Sequence, residues 1–193
     1  MASISYAVTV CNEIDELTQL LNFLQLHIRE EDEIVIQYDE ASVTKDVMDY
    51  LNLINVMHSN HKVVGFSLNN DFASFKNNLK SHCSKDYIFQ IDADEQIPPS
   101  LLFMVRKLIV ENDCDCLWIP RINIINGHTQ KDIAEFNWTV AGKNWIQFPD
   151  YQIRVFKANG DIKWHENVHE EVRGYRNKII ICFKNIISYL SLT

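Results

Sequence analysis

The chain has 193 residues, 47% of them hydrophobic, with five glycines, four prolines and a formal charge of −8. That length suits one domain with a sizeable buried core, and the composition excludes a disordered chain. The acidic balance, with no basic patch in the sequence, argues against nucleic acid as a partner. It would also repel anionic phosphates unless a metal ion reverses the sign locally.

The N-terminus Met1-Ala-Ser-Ile-Ser-Tyr6 lacks the basic and apolar regions of a signal peptide. No apolar run reaches the ~20 residues of a membrane span. Five cysteines (Cys11, Cys83, Cys114, Cys116 and Cys182) are odd in number and irregular in spacing. They read as reduced thiols in a cytoplasmic protein rather than a disulfide framework or a zinc knuckle.

Taken in chain order, Ile4–Val10 is a short run of β-formers, and Asn12-Glu13 breaks it. Ile14, Leu17, Leu20, Leu21 and Leu24 then recur at helical spacing. Glu33–Tyr38 predicts a second strand ending at Asp39-Glu-Ala-Ser42, and Val43–Met57 a second helix. Lys62–Leu68 reads as a strand, Phe72–His82 as a helix, and Asp86–Ile91 as a fourth strand delivering Asp92-Ala-Asp-Glu95. Pro98-Pro99 opens a helix through Val110, a usual place for proline. Repeated strand-helix units predict an α/β fold with a mostly parallel central sheet flanked by helices. In such sheets ligands bind outside the carboxyl ends of the strands. The polar groups Asn12-Glu13, Asp39 and Asp92–Asp94 all follow strand ends.

The second half differs. Cys116–Arg121 and Tyr151–Lys157 read as strands, separated by a long segment containing Asn126, Gly127, Trp138, Gly142 and Trp145. Asn159-Gly160 reads as a hairpin turn. The stretch from Ile179 to Phe183 predicts a core strand, and Ile186 to Leu192 a short helix. With no boundary or repeat in sight, residues 1–193 are expected to form a single catalytic domain, with a nucleotide-binding half over 1–110 and an acceptor-side half over 111–193. The abrupt ending at Thr193 suggests a domain cut from a longer chain.

Asp92-Ala-Asp94 is the sharpest chemical signal. Two carboxylates one residue apart at a strand end can converge on a hard divalent cation that also takes substrate phosphates. The alternative is a solvated acidic loop.

The run Tyr87-Ile-Phe-Gln-Ile-Asp-Ala-Asp-Glu95 resembles the DxD region of family 2 glycosyltransferases. Val8-Thr-Val-Cys-Asn-Glu13 is similar to that family's first strand and nucleotide loop, Asp39-Glu-Ala-Ser42 to its second-strand Asp-Asp-Gly-Ser element, and Phe72-Ala-Ser-Phe-Lys-Asn77 to the helix before the DxD strand. Tyr151-Gln-Ile-Arg-Val-Phe156 and Val168-His-Glu170 resemble the C-terminal part of a subgroup that builds polysaccharide cores. The resemblance implies a GT-A fold, a nucleotide-sugar donor, a divalent metal and an acceptor hydroxyl on a glycan or glycoconjugate. It implies that Thr9, Val10, Asn12 and Glu13 line the base and ribose. Asp39 would accept from a base N–H, uracil fitting best. Asn77 and Lys80 would lie near the diphosphate or sugar. Asp92 and Asp94, with Ala93 between them, would approach metal, ribose and phosphates. His169 would be a third metal ligand, imidazole favouring manganese over magnesium. Ala41 stands where the family has Gly, Lys76-Asn77 where it has Arg-Asn, and its catalytic acid has no clear match after the DxD.

Asp150, ahead of a strand and after the acceptor-side segment, and Glu170 are the candidate catalytic bases. Trp138 and Trp145 could wall an acceptor site or pack in the core. Arg154 could meet phosphate or form a structural ion pair. His165-Glu-Asn-Val-His169 matches H-E-x-x-H, and Trp164, Val168 and Val172 fit a helical stripe, so a zinc peptidase is a rival. Its third ligand is missing downstream, where Cys182 is the sole conventional candidate. A nucleotide-sugar-binding module without turnover is a second rival. A nucleotidyltransferase is a third, lowered by the lack of a Gly-rich, Lys-containing loop near the first strand. Peripheral contact with a membrane surface carrying the acceptor is also compatible with the sequence.

Overall fold

A computed structural model describes residues 2–141 and 144–182. The first half alternates as the periodicity predicts: β1 (Ile4–Val10), α1 (Ile14–His27), β2 (Glu33–Asp39), α2 (Lys45–Met57), β3 (His61–Phe66), α3 (Phe72–Ser81), β4 (Tyr87–Asp92) and α4 (Pro99–Asn112). The second half supplies β5 (Cys116–Ile124), α5 (Gln130–Glu135), β6 (Val140–Ala141), β7 (Trp145–Lys157), β8 (Lys163–His165), β9 (Glu171–Arg173) and β10 (Lys178–Ile180).

Among the described residues, eight strands form one sheet in the order β10-β5-β7-β4-β1-β2-β3, with β6 on β7. The strands β4, β1, β2 and β3 are parallel neighbours, β10 is parallel to β5, and β7 runs antiparallel between β4 and β5. Strands from both halves of the chain thus share one sheet. The predicted helix over 186–192 lies outside the described residues, as does Gly142.

Side-chain alternation assigns the two faces. Ile4, Tyr6, Val8 and Val10 of β1, with Tyr87, Phe89 and Ile91 of β4, pack under α1, α2 and α4. Ala7, Ile88 and Phe156 point the other way, toward Ala73 and Leu79 of α3 and toward Trp164 and Val172 of the β8–β9 hairpin. Helix α3 starts at an Asp71 cap, whose carboxylate accepts the Ser74 N–H at 2.9 Å.

Two local expectations fail. The residues His165–His169 are not helical: His165 ends β8, and Glu166 and His169 have left-handed backbones (φ 71° and 60°). Trp164 and Val172 share a buried face because they are cross-strand partners, while Val168 is exposed. Nor is Asn159-Gly160 a hairpin turn, since β8 pairs with β9 and not with β7. The Asn159 side chain instead accepts from the Asp161 and Ile162 N–H groups.

At the start of β3, both ring nitrogens of His61 are buried without a hydrogen-bond partner among the described residues. Burial, with the neighbouring His58 imidazole, lowers its pKa from 6.5 to about 4. Between these values the unfolded chain takes up a proton that the folded chain does not, so His61 should reduce stability as pH falls from 6.5 toward 4. Denaturant unfolding at a series of pH values should show that decline, and His61→Gln should flatten it.

Candidate active site

The carboxyl ends of the parallel strands open into a cleft of about 380 Å³, lined by residues that include Thr9, Val10, Cys11, Glu13, Asp39, Ser42, Lys76, Asp92, Ala93, Asp94 and Glu170. Its position follows from topology, since the strand order turns back there between β1 and β4.

Thr9 and Asp92 are register partners on adjacent strands, and Thr9 Oγ1 donates to Asp92 Oδ1 at 2.6 Å. The other Asp92 oxygen accepts from Arg154 Nη1 at 3.2 Å, and Lys76 Nζ stands 4.0 Å from Oδ1. Burial would raise this carboxyl's pKa, but Arg154, Lys76 and the Thr9 hydroxyl outweigh it and hold the value at about 2. Glu95 behaves oppositely: burial, added to the nearby Asp92 charge, raises its pKa despite its ion pair with Arg154.

Asp94 differs from its neighbours. It is exposed, lines the cleft, and makes no hydrogen bond or ion pair among the described residues. A hard divalent cation commonly binds one or two protein carboxylates and completes its shell with water and substrate phosphates. A free carboxylate beside a charge-compensated one fits such an ion. No group of three or more His, Cys, Asp or Glu able to hold a metal occurs among the described residues. His169 is exposed and does not line the cleft, so a compact Asp92–Asp94–His169 ligand set is not assembled. The left-handed backbone at His169 turns the chain so that its neighbour Glu170 enters instead.

Asp39 is buried at the end of β2 and accepts from the Leu68 N–H at 3.0 Å and the Ala41 N–H at 3.3 Å. Burial pushes its pKa up, but the bonds from Leu68, Ser42 and Ala41 bring it below the usual value. Glu13 lines the cleft and folds back to accept the Cys11 and Asn12 N–H groups at 2.9 and 3.0 Å. Asn12 is not among the lining residues.

Two residues expected near the diphosphate have other work. Asn77 clamps a backbone: its amide donates to the Trp164 carbonyl at 2.8 Å, and its carbonyl accepts the Trp164 N–H at 3.0 Å. Lys80, a turn later, donates to the Asn159 carbonyl at 2.8 Å. The charged residue that α3 sends into the cleft is Lys76, beside Phe72 and Phe75 of the same helix, and the helical period places it next to Asp92. It is buried, lies 4.7 Å from the centre of the Trp164 ring, and pairs with Glu170 at 2.5 Å. The Asn77 clamp therefore docks the β8–β9 hairpin on α3, and the hairpin delivers Glu170 to the cleft.

Of the two candidate bases, Glu170 lines the cleft and Asp150 does not. Asp150 is held by Arg121 at 2.7 Å, Asn123 at 3.1 Å and Gln152 at 3.1 Å. Burial would raise its pKa, but those three partners lower it. Trp138 stacks on exposed Phe136 at 5.0 Å, and Trp145 meets Phe148 at 5.1 Å; both tryptophans are half-buried.

Sequence reading left the role of Arg154 open and passed over Lys76 and Glu95. Arg154 stands alone as a charge inside the apolar alternation of β7 (Ile153, Val155, Phe156), and that pattern was the available signal.

Comparison with known proteins agrees with this geometry. The chain matches the model "Glycosyl transferase family 2" over residues 5–177. It is 23% identical over 184 residues to the SPbeta prophage-derived glycosyltransferase SunS of Bacillus subtilis (strain 168), covering 92% of this chain and 36% of that protein. The chain thus spans about a third of the length of that relative. A crystal structure of S. aureus TarS 1-349 superposes with a TM-score of 0.62 at 16% identity, covering 94% of this chain and 58% of that one. Its complex with UDP-GlcNAc superposes at 0.59 and 17% identity, covering 94% and 59%. The mannosyltransferase PcManGT from Pyrobaculum calidifontis, in complex with GDP-Man and Mn2+, superposes at 0.50 and 16% identity over 60% of this chain and 34% of that one.

Replacing Asn77 with Ala removes two hydrogen bonds from a buried hairpin contact. It should cost about 2 kcal/mol, and Lys80→Ala, at the surface, about 0.5 or less. Thermal unfolding of the two variants checks the contrast. The mostly parallel sheet, the cleft at its carboxyl edge and the match across most of its length agree that this chain belongs to glycosyl transferase family 2.

Proposed function

We propose that this chain moves a sugar from a uridine diphosphate donor to a hydroxyl of a glycan or glycoconjugate, with help from a divalent metal, manganese preferred. The observation that carries the reading is the Asp94 carboxylate, which stands in the cleft without a hydrogen bond or ion pair among the described residues, beside a compensated Asp92. Charge supports it as well. Among the residues that line the cleft, Glu13, Asp39, Asp92, Asp94 and Glu170 face one cation, Lys76, so a diphosphate needs an added positive charge to enter. The TarS structures with UDP and UDP-GlcNAc favour uridine, and the Mn2+ of PcManGT favours a metal.

In this reading Asp39 and the Thr9–Glu13 segment hold the nucleoside. Asp94 is the direct metal ligand, with Asp92 oriented behind it. When bound, the metal offsets charge on the departing diphosphate. Lys76 supplies a second positive charge to that group, which separates it from Glu170. The freed Glu170 carboxylate is then placed to accept the proton of the acceptor hydroxyl. Asp150 and the half-buried Trp138 and Trp145 would face the acceptor. Catalysis in such a site rests mainly on positioning and electrostatics. The zinc peptidase reading loses its footing because the two histidines stand on a strand end and a turn rather than on one helical face. A module without turnover is less favoured, since a carboxylate in the cleft paired to a lysine that a diphosphate would engage is suited to proton transfer. All five cysteines are free thiols, which suits the cytoplasm, and no described helix is long and apolar enough to cross a membrane. A peripheral membrane encounter with the acceptor remains compatible with that.

Calorimetric titration should show UDP binding that strengthens when Mn2+ is added. Asp94→Ala should remove that gain, lowering affinity about 10-fold or more. UDP binding indifferent to both metal and Asp94 would refute the reading.

A further inference from the structure

The Asp92–Glu95 segment is a small closed turn. The Glu95 N–H donates to the Asp92 carbonyl at 2.9 Å, and the Glu95 carboxylate accepts the Asp92 N–H at 3.1 Å. One guanidinium spans the two ends: Arg154 Nη1 donates to the Asp92 carboxylate at 3.2 Å, and Nη2 pairs with the other Glu95 oxygen. Asp94 sits inside this turn, and its carboxylate makes no hydrogen bond or ion pair among the described residues.

Arg154 reaches that place through an irregularity in β7. Against β5, Leu117 pairs with Val155 and Trp118 pairs with Ile153, so Arg154 is the extra residue of a bulge. Against β4, Phe89 pairs with Val155, which sets Arg154 just beyond it toward the carboxyl end of that strand. Bulges re-aim a side chain, and this one aims a cation, 7% exposed, under the acidic turn. Arg121 is a weaker neighbour of Glu95 at 3.7 Å, and Lys76 flanks Asp92 from α3.

We propose that Arg154 is a positioning residue that braces the Asp92–Glu95 turn, so that Asp94 is presented to the metal-bound diphosphate while Asp92 and Glu95 are kept from competing for the ion. The proposal rests on the metal-assisted reading above. A planar fork suits this task better than an ammonium, because both acids are bridged at once. The brace acts on the metal and diphosphate end of the cleft. The nucleoside end, built on Asp39, has its own hydrogen bonds from Leu68 and Ala41 and does not depend on it.

The test uses the full chain and two probes. Uridine binding is followed by ligand-observed NMR, and UDP binding with and without Mn2+ by calorimetry. Arg154→Met should weaken Mn2+-dependent UDP binding by about 10- to 100-fold while uridine affinity stays within about twofold. Arg154→Lys should recover part of the loss. Equal losses for uridine and UDP would make Arg154 a general packing residue and overturn the proposal, as would parental Mn2+-UDP affinity in Arg154→Met. If circular dichroism shows that Arg154→Met does not fold, Glu95→Gln is read instead. It keeps the size of the turn and should give the same selective loss, and parental binding there overturns the brace. If the parent itself gains nothing from Mn2+ in UDP binding, the metal-assisted reading falls, and the brace with it.

Discussion

A guanidinium buried under three converging strands sets the character of this molecule. Arg154 lies among the ends of β4, β5 and β7 and is almost closed to solvent. A lone charge there would be costly, and it is tolerated because Asp92 and Glu95 meet it. Each partner in turn responds to it: Arg154 and Lys76 hold Asp92 ionised, and Arg154 opposes the burial and the Asp92 charge that raise the Glu95 pKa. A buried ion-pair network of this kind adds little net stability over apolar packing. Its use is geometric, since it fixes the turn that carries Asp94.

The opposite wall of the cleft is assembled from outside the main sheet. The β8–β9 hairpin is a two-stranded unit that would be marginal alone. It is held by Trp164 packed edge-on against Phe156, by the Asn77 clamp, and by the Phe72 N–H donating to the Asn167 carbonyl. Helix α3 therefore supports the site twice, giving Lys76 to the cleft and Asn77 to the hairpin that brings Glu170. Gly174, just after β9, has φ +93°, and a side chain there would meet the Asp161 carbonyl at 2.0 Å, so the close return of the hairpin requires glycine.

The cleft is thus poised between attraction and repulsion of an anion. Its floor is rich in carboxylates, and its cations are already paired. On the proposed reading, a diphosphate would enter most easily with a divalent ion of its own and would compete with Glu170 for Lys76. Donor binding and release of the Glu170 carboxylate would then be one event, which would tie acceptor activation to donor occupancy.

Much of the architecture was legible in the sequence. The runs at Ile4–Val10 and Tyr87–Ile91 and the leucine spacing of α1 carry local periodicities that tertiary context does not override, and the bounds of β1 match the reading residue for residue. The strand-end placement of Asp39, Asp92 and Asp94 followed from the same periodicity. The misreadings share one cause, which is contact between distant segments. H-E-x-x-H fits a helix by spacing, yet the hairpin places Trp164 opposite Val172 and turns the chain at His169. Asn77 and Lys80 have the residue types for a phosphate site, but the rotation of α3 directs Lys76 there instead. Asp150, expected ahead of a strand, lies inside β7, where Arg121 and Asn123 of β5 and Gln152 of its own strand hold it. Sequence by itself determined the elements of the first half, their order and the strand ends where chemistry would gather, because those depend on neighbours a few residues away. Only the tertiary structure decided which charges compensate which, because β7 returns antiparallel between β4 and β5 and its bulge brings Arg154 to residues some sixty positions earlier.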